Sequence, residues 1–286
     1  MACTRNFTGC SSMTGRTDRP SAPPRSLLSA TGRAIRDFDM IREGDRILLG
    51  LSGGKDSLSL LQILLDLRRR APVRFEIAAC TVDPQSEDFN PSRLIPWMSR
   101  QGIAYHYERQ PIVASAQTSM SGDSFCAFCS RMRRGILYRV ARENGYNVLA
   151  LAQHLDDLAE TLMMSMFFGG KLRTMQAHYT NDAGDVRIIR PLCYARERQT
   201  RDYSIRAGLP VIHDNCPACF AMPTQREAMK QMLAEQEKQN PRLFASLLTA
   251  MKPLMSGQHG PTDGESQNPR LDTTPQNMWI PRLRAE

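Results

Sequence analysis

Three groups of residues in this chain are chemically loaded. The first is Ser52-Gly53-Gly54-Lys55-Asp56-Ser57. Its glycines let backbone N–H groups come close to an anion, and Lys55 adds a full positive charge. The second is a pair of C-x-x-C motifs, Cys126-Ala127-Phe128-Cys129 and Cys216-Pro217-Ala218-Cys219. Each can hold a metal through two thiolates. The third is a set of carboxylates: Asp83, and the run Gln153-His154-Leu155-Asp156-Asp157. A carboxylate beside a polyphosphate acts through a hard cation such as magnesium. The same Asp pair also reads as the acidic first turn of a capped helix.

These residues need elements to hold them. The apolar run Ile47–Leu51 reads as a strand, and the leucine-rich stretch 57–70 as a helix ending in Arg68-Arg69-Arg70. The loop between them is therefore a strand–anion loop–helix unit. It is not a Walker A loop. In G-x-x-x-x-G-K-[ST] the first glycine would fall at Leu49, and Asp56 occupies the Ser/Thr place. A helix is expected over 28–39. Further strands are expected at 75–82, 104–108, 148–152 and, as an edge strand, 186–192. Further helices are expected at 93–101, 158–168 and 196–207. The stretch 223–252 reads as helix interrupted near Pro241. Alternating strands and helices predict an α/β fold with a doubly wound parallel sheet. In such sheets ligands sit beyond the carboxyl ends of the strands. Ser52–Ser57, Asp83 and Gln153–Asp157 all fall at such ends.

The first cysteine pair opens the most basic segment, Ser130–Asn144. Met132, Ile136 and Val140 mark one buried face, and Arg131, Arg133, Arg134, Arg139 and Arg142 occupy the others. Two C-x-x-C pairs fit tetrahedral zinc, an Fe–S cluster or dithiol redox chemistry. Structural zinc pairs usually lie about 15–20 residues apart, and the separation here is much longer. Cys80 and Cys193 sit in strand-like apolar segments and read as core thiols.

The 286 residues carry a net charge of +8 with 41% hydrophobic residues. The charge favours an anionic partner, nucleic acid first. No apolar run approaches the ~18 residues of a membrane span. Residues 1–30 read as a tail, either disordered or an organelle transit peptide. Through Arg36 it has six arginines and one acid, Asp18. Residues 31–222 form the expected catalytic domain, 223–255 a helical segment, and 256–286 a polar disordered tail.

Ser52–Ser57 resembles the PP-loop of the ATP pyrophosphatases. The chain as a whole resembles the tRNA 2-thiocytidine synthetases. That likeness rests on the loop, Cys126-x-x-Cys129-Ser130-Arg131, His154-x-Asp156-Asp157, Phe167-Phe168-Gly169-Gly170-Lys171 and Ile189-Arg190-Pro191-Leu192. It implies that ATP with Mg2+ adenylates the C2 oxygen of an anticodon-loop cytidine (position 32). Sulfur then displaces AMP through a [4Fe-4S] cluster held by three cysteines. Residue by residue it implies an ATP site of Ser52, Gly53, Gly54, Lys55, Asp56, Ser57, Asp83, Gln153 and His154. It makes Lys55, Asp56, Asp157 and Arg133 catalytic, Cys126, Cys129 and Cys219 the cluster ligands, and Asp156 and Asp157 candidates for magnesium. Cys216 stands as the alternative third ligand. The family usually has Gly-His-His before its Asp-Asp, where this chain has Ala152-Gln153-His154. The implied partners are tRNA and a sulfur donor such as a cysteine desulfurase, with no membrane and a homodimer as family expectation. The implied location is cytoplasmic, or organellar if the tail targets. The rival readings are a PP-loop thiolase or amidotransferase for another base, and a zinc-stabilised RNA-binding protein.

Overall fold

A computed structural model describes residues 20–86, 89–112, 125–212 and 225–257, without the side chains of 125–127. In chain order the elements are α1 (Arg25–Asp37), β1 (Asp45–Gly50), α2 (Lys55–Arg68), β2 (Phe75–Asp83), α3 (Leu94–Ser99) and β3 (Ala104–Arg109). Then follow α4 (Phe125–Glu143), β4 (Val148–Ala150), α5 (Leu155–Gly169), β5 (His178–Thr180) and β6 (Arg187–Ile189). The helices α6 (Glu197–Arg206), α7 (Gln225–Gln239) and α8 (Leu243–Met255) close the described chain.

Strand β1 is central because it is apolar on both sides. Ile47, Leu49 and Leu51 enter one core and Leu48 the other, as the two-residue period of a strand requires. Strands β2 and β4 flank it in parallel, with Leu48 opposite Ala78 and Leu149. The sheet order is β3-β2-β1-β4-β6-β5. All pairings are parallel except β5 on β6. After β1 the chain winds outward through β2 and β3, then returns to place β4 on the other side of β1. The crevice between the carboxyl ends of β1 and β4 is therefore a topological switch point.

The two faces are covered unequally. Residues of α1, α2, α3, α5, α6, α7 and α8 join the larger core, and α4 covers the smaller one. Helix α2 is buried nearly all round, from Leu58 to Leu65, with one more exposed position at Gln62. Fully burying a leucine side chain contributes about 2 kcal/mol, so this helix holds the loop before it on a rigid base. Arg69 and Arg70 turn back onto buried Asp66.

Several expectations are corrected here. Segment 186–192 does not supply the edge: β6 is interior, and the short antiparallel β5 is the edge strand. The expected tail stops sooner than residue 30, because α1 begins at Arg25 and Leu27 is fully buried. Met132 is exposed, whereas Ile136 and Val140 are buried. The periodicity is real, but the first turns of α4 run past the sheet. Residues 223–255 are not set apart from the domain, since Leu233, Phe244, Met251 and Met255 join the larger core.

Candidate active site

The switch point is built by short-range rules. Leu51 ends β1 with its N–H on the Cys80 carbonyl and its own carbonyl taken by the Thr81 hydroxyl. Gly53 then adopts φ +84°, a conformation that L side chains rarely adopt. A Cβ there would also lie 2.9 Å from Ile212 Cδ1. The Gly53 carbonyl accepts the Ile212 N–H at 2.9 Å, fixing the loop from across the site. Gly54 is the N-cap of α2 and offers no side-chain cap. The first N–H groups of α2 are thus disposed for an anion. Inside the loop, Ser52 Oγ accepts the Gly54 N–H at 3.3 Å and lies 3.1 Å from Ser57 Oγ. Ser57 Oγ donates to the Gly54 carbonyl at 3.0 Å.

Lys55 Nζ lies 2.9 Å from Asp56 Oδ2 and 3.0 Å from Glu197 Oε1. Burial alone would lower the ammonium pKa, but Asp56 and Glu197 outweigh it and hold it above its ordinary value. The other Glu197 oxygen is 2.9 Å from Lys230 Nζ on α7. Burial opposes ionisation of Glu197, yet Lys230 and Lys55 together pull its carboxyl down to about 2. Asp56 also accepts the Thr200 hydroxyl of α6.

From β4 the second wall begins. Gln153 accepts Arg190 Nε at 3.1 Å. Arg190 is buried and also donates to the Gln176 carbonyl. His154 caps α5 in a reciprocal box with Asp157. Its N–H donates to Asp157 Oδ2 at 2.9 Å, and its Nδ1 accepts the Asp157 N–H at 3.3 Å. Its Nε2 faces Asp56 Oδ2 at 3.8 Å. Asp156 turns elsewhere: it accepts Arg196 Nε at 3.1 Å and the Glu197 N–H at 2.8 Å. Arg196 also forks onto Glu237 at 2.6 and 2.8 Å and stacks 3.3 Å from the Phe244 ring centre. Asp83 ends β2, buried, with its carboxylate taken by Tyr107 Oη at 2.7 Å and the Gln85 N–H at 2.8 Å.

Sequence reading missed Arg196, Glu197, Thr200, Lys230 and Ile212 as site residues. None carries a local motif, and each arrives across a long sequence separation. Arg226 binds buried Glu160 at 2.9 Å and lies 3.9 Å from Asp157.

The cysteines approach from the other face. The α4 C-terminus lies at the start of β1, where Arg46 donates to the Asn144 and Gly145 carbonyls at 3.1 and 3.0 Å. Leu137 Cδ1 lies 3.2 Å from where a Gly50 Cβ would be, at the other end of β1. Helix α4 therefore runs antiparallel to the strand. Positions 129 and 126 are one turn apart at its start, about 12 and about 16 Å along the axis beyond Leu137. That carries them past the carboxyl edge on which the loop sits. A helix N-terminus favours thiolates, so the donor chemistry of this turn fits a thiolate-bound metal centre. Cys129 is half-buried beside the smaller core, and Arg133 lies one turn further on. Cys216 and Cys219 lie outside the described residues. Their segment begins after Ile212, held by Gly53, and ends before Arg226, held by Glu160. Cys80 and Cys193 are core thiols as expected, and burial pushes Cys80 up to about 12.

Residues 28–237 match the family model described as the PP-loop domain. The chain is 41% identical over 230 residues to the tRNA-cytidine(32) 2-sulfurtransferase of Geobacter sulfurreducens, covering 79% of this chain and 89% of that one. It is 42% identical over 231 residues to the protein of the same name from Psychromonas ingrahamii, covering 80% and 74%. The fold is similar to that of the U34-tRNA thiolase NcsA from Methanococcus maripaludis, solved with its [4Fe-4S] cluster. That match has a TM-score of 0.65 at 23% identity and covers 83% of this chain and 81% of that one.

Proposed function

The chain belongs to the PP-loop domain family and, within it, to the tRNA-cytidine(32) 2-sulfurtransferases, and from that premise we propose that it thiolates an anticodon-loop cytidine of tRNA. ATP enters at the Ser52–Ser57 loop. The α2 N–H groups and Lys55 hold the departing pyrophosphate. The cytidine O2 attacks the α-phosphate, pyrophosphate leaves, and the C2–O bond now bears a good leaving group. Sulfide adds at C2, AMP departs with the oxygen, and 2-thiocytidine results. Cys126, Cys129 and Cys219 would hold a [4Fe-4S] cluster, which would supply the sulfur chemistry.

The remaining roles belong to side chains already placed. His154 and Asp157 fix the wall facing Asp56. Asp157 is the better magnesium candidate of the Asp pair, because Asp156 is engaged by Arg196 and the Glu197 N–H. Arg133, one turn beyond Cys129, steadies the adenylate. Asp83 and Gln153 line the nucleotide side at the ends of β2 and β4. Arg131 and Arg134 add positive charge for the tRNA backbone. Arg139 is paired with Glu108 and Glu143.

The observation that supports this reading best is convergence. The anion loop and the helix that starts at Cys126 and Cys129 meet at one edge of one sheet, from opposite faces. The test is mass spectrometry of tRNA nucleosides from a strain lacking the gene. Loss of 2-thiocytidine, restored by the wild-type gene, is the expected result; an unchanged level overturns the proposal. Anaerobically purified protein should be brown. A colourless, zinc-loaded protein would favour a structural metal instead.

A further inference from the structure

Helix α5 begins in the site and ends in open solvent. Eight consecutive residues, Met166–Arg173, are exposed. They include Phe167 at 56%, Phe168 at 55% and Leu172 at 67% exposure. Adjacent aromatic rings at such exposure lose hydrophobic stabilisation that burial would supply. The tip is nevertheless well built. Gly170 closes the helix at φ +59°, and the Lys171 N–H returns to the Ser165 carbonyl at 3.1 Å. Ser165 Oγ donates to the Lys171 carbonyl at 2.8 Å, and Thr174 Oγ1 donates to the Leu158 carbonyl at 2.6 Å.

Gly169 adds a second observation. It has an ordinary helical backbone, and among the described residues nothing lies within 4 Å of a Cβ built on it. Glycine inside a helix costs about 1 kcal/mol against alanine. The fold needs glycine there neither for conformation nor for packing. What glycine does provide is bare backbone beside two rings, where a flat partner can approach closely. Charge then selects the partner. From Thr161 to Asn181 the sequence has no acid, while Lys171 and Arg173 stand in the tip. A two-fold contact between copies would set these cations against each other with no carboxylate in the tip to offset them. Unpaired nucleic-acid bases fit both properties: they stack on aromatic faces while cations meet the phosphates.

We propose that Met166–Arg173 is a stacking platform for unpaired tRNA bases, with Phe167 and Phe168 as the faces and Lys171 and Arg173 on the backbone. This rests on the tRNA-directed reading above. The platform lies about 15 Å along α5 from Leu158, so it would grip bases other than the one undergoing chemistry.

The test measures binding of an unmodified tRNA transcript to the full-length protein by fluorescence anisotropy. F167A/F168A should weaken binding about tenfold or more, F167W/F168W should restore it, and K171A should reduce its salt dependence. Unchanged binding of an ATP analogue by F167A/F168A shows that the variant is folded. If the wild type binds tRNA and F167A/F168A binds equally well, the platform is overturned alone. If F167A/F168A instead dissociates a dimer whose monomers keep their tRNA affinity, the surface is a self-association face and the platform is again overturned. A wild type that binds no tRNA overturns the platform together with the reading beneath it.

Discussion

The chain contains Gly-Gly-Lys twice, and the two copies do opposite work. Gly53-Gly54-Lys55 opens α2, whereas Gly169-Gly170-Lys171 closes α5. The first stands at the positive end of a helix dipole, the second at the negative end. At the first, Gly53 is wedged against Ile212 and Lys55 is held by two carboxylates. At the second, among the described residues, a Cβ on either glycine would meet nothing, and Lys171 is exposed. The same tripeptide therefore makes an anion cradle in one place and a solvent-facing tip in the other. What differs is the helix end and what the rest of the chain brings to it.

Five substitutions can break or sharpen this contrast. The largest effect belongs to Lys55→Ala. Removing a charge from a developing anion costs about 100- to 1000-fold, so tRNA-dependent AMP release should fall by that factor. The iron–sulfur absorption should remain. Equal losses from Lys171→Ala would erase the distinction between the copies. Next come the glycines. Gly53→Ala should destabilise the fold by about 2 kcal/mol, from positive φ and the Ile212 contact. Gly169→Ala should stabilise it by about 0.5–1 kcal/mol. Urea denaturation of both variants checks the opposite signs, and like signs would refute the packing argument.

A small effect of similar size is that of Glu197→Gln, about 1 kcal/mol after solvent screening. The folded carboxyl sits near 2, below its ordinary value of 4.5. Its stabilisation is therefore complete above the unfolded value and lost as pH falls through the folded one. The gap in melting temperature between wild type and Glu197→Gln should hold steady from pH 8 to 5 and close toward pH 2. A gap that persists at pH 2 would mean that Glu197 acts through shape rather than charge.

The sequence disclosed what is local. The anion loop, the strand–helix alternation, Asp83 at a strand end and the box at His154–Asp157 are all written in consecutive residues. What stayed hidden is long-range or short. Strand β5 has only three residues, too few to show a period of two, so β6 alone reads as the edge although the Asn181–Gly184 turn joins the two. Glu197 and Lys230 look like surface charges until α6 folds onto α2 and α7 onto α5. The hold of Arg196 on Asp156 is another contact that no local pattern announces. Gln153, which departs from the family pattern, becomes intelligible through Arg190, whose guanidinium it helps to satisfy.

The route of Ile212 to Gly53 has a temporal consequence. The loop leaves the ribosome well before its far wall, which is about 160 residues downstream. At roughly 5–20 residues per second, that wall arrives some 8–30 s later. Strands β1, β2 and β3 can pair meanwhile, but β4, Glu197 and Ile212 do not yet exist. A nascent chain therefore carries the Ser52–Ser57 loop only half enclosed until the C-terminal half has been made.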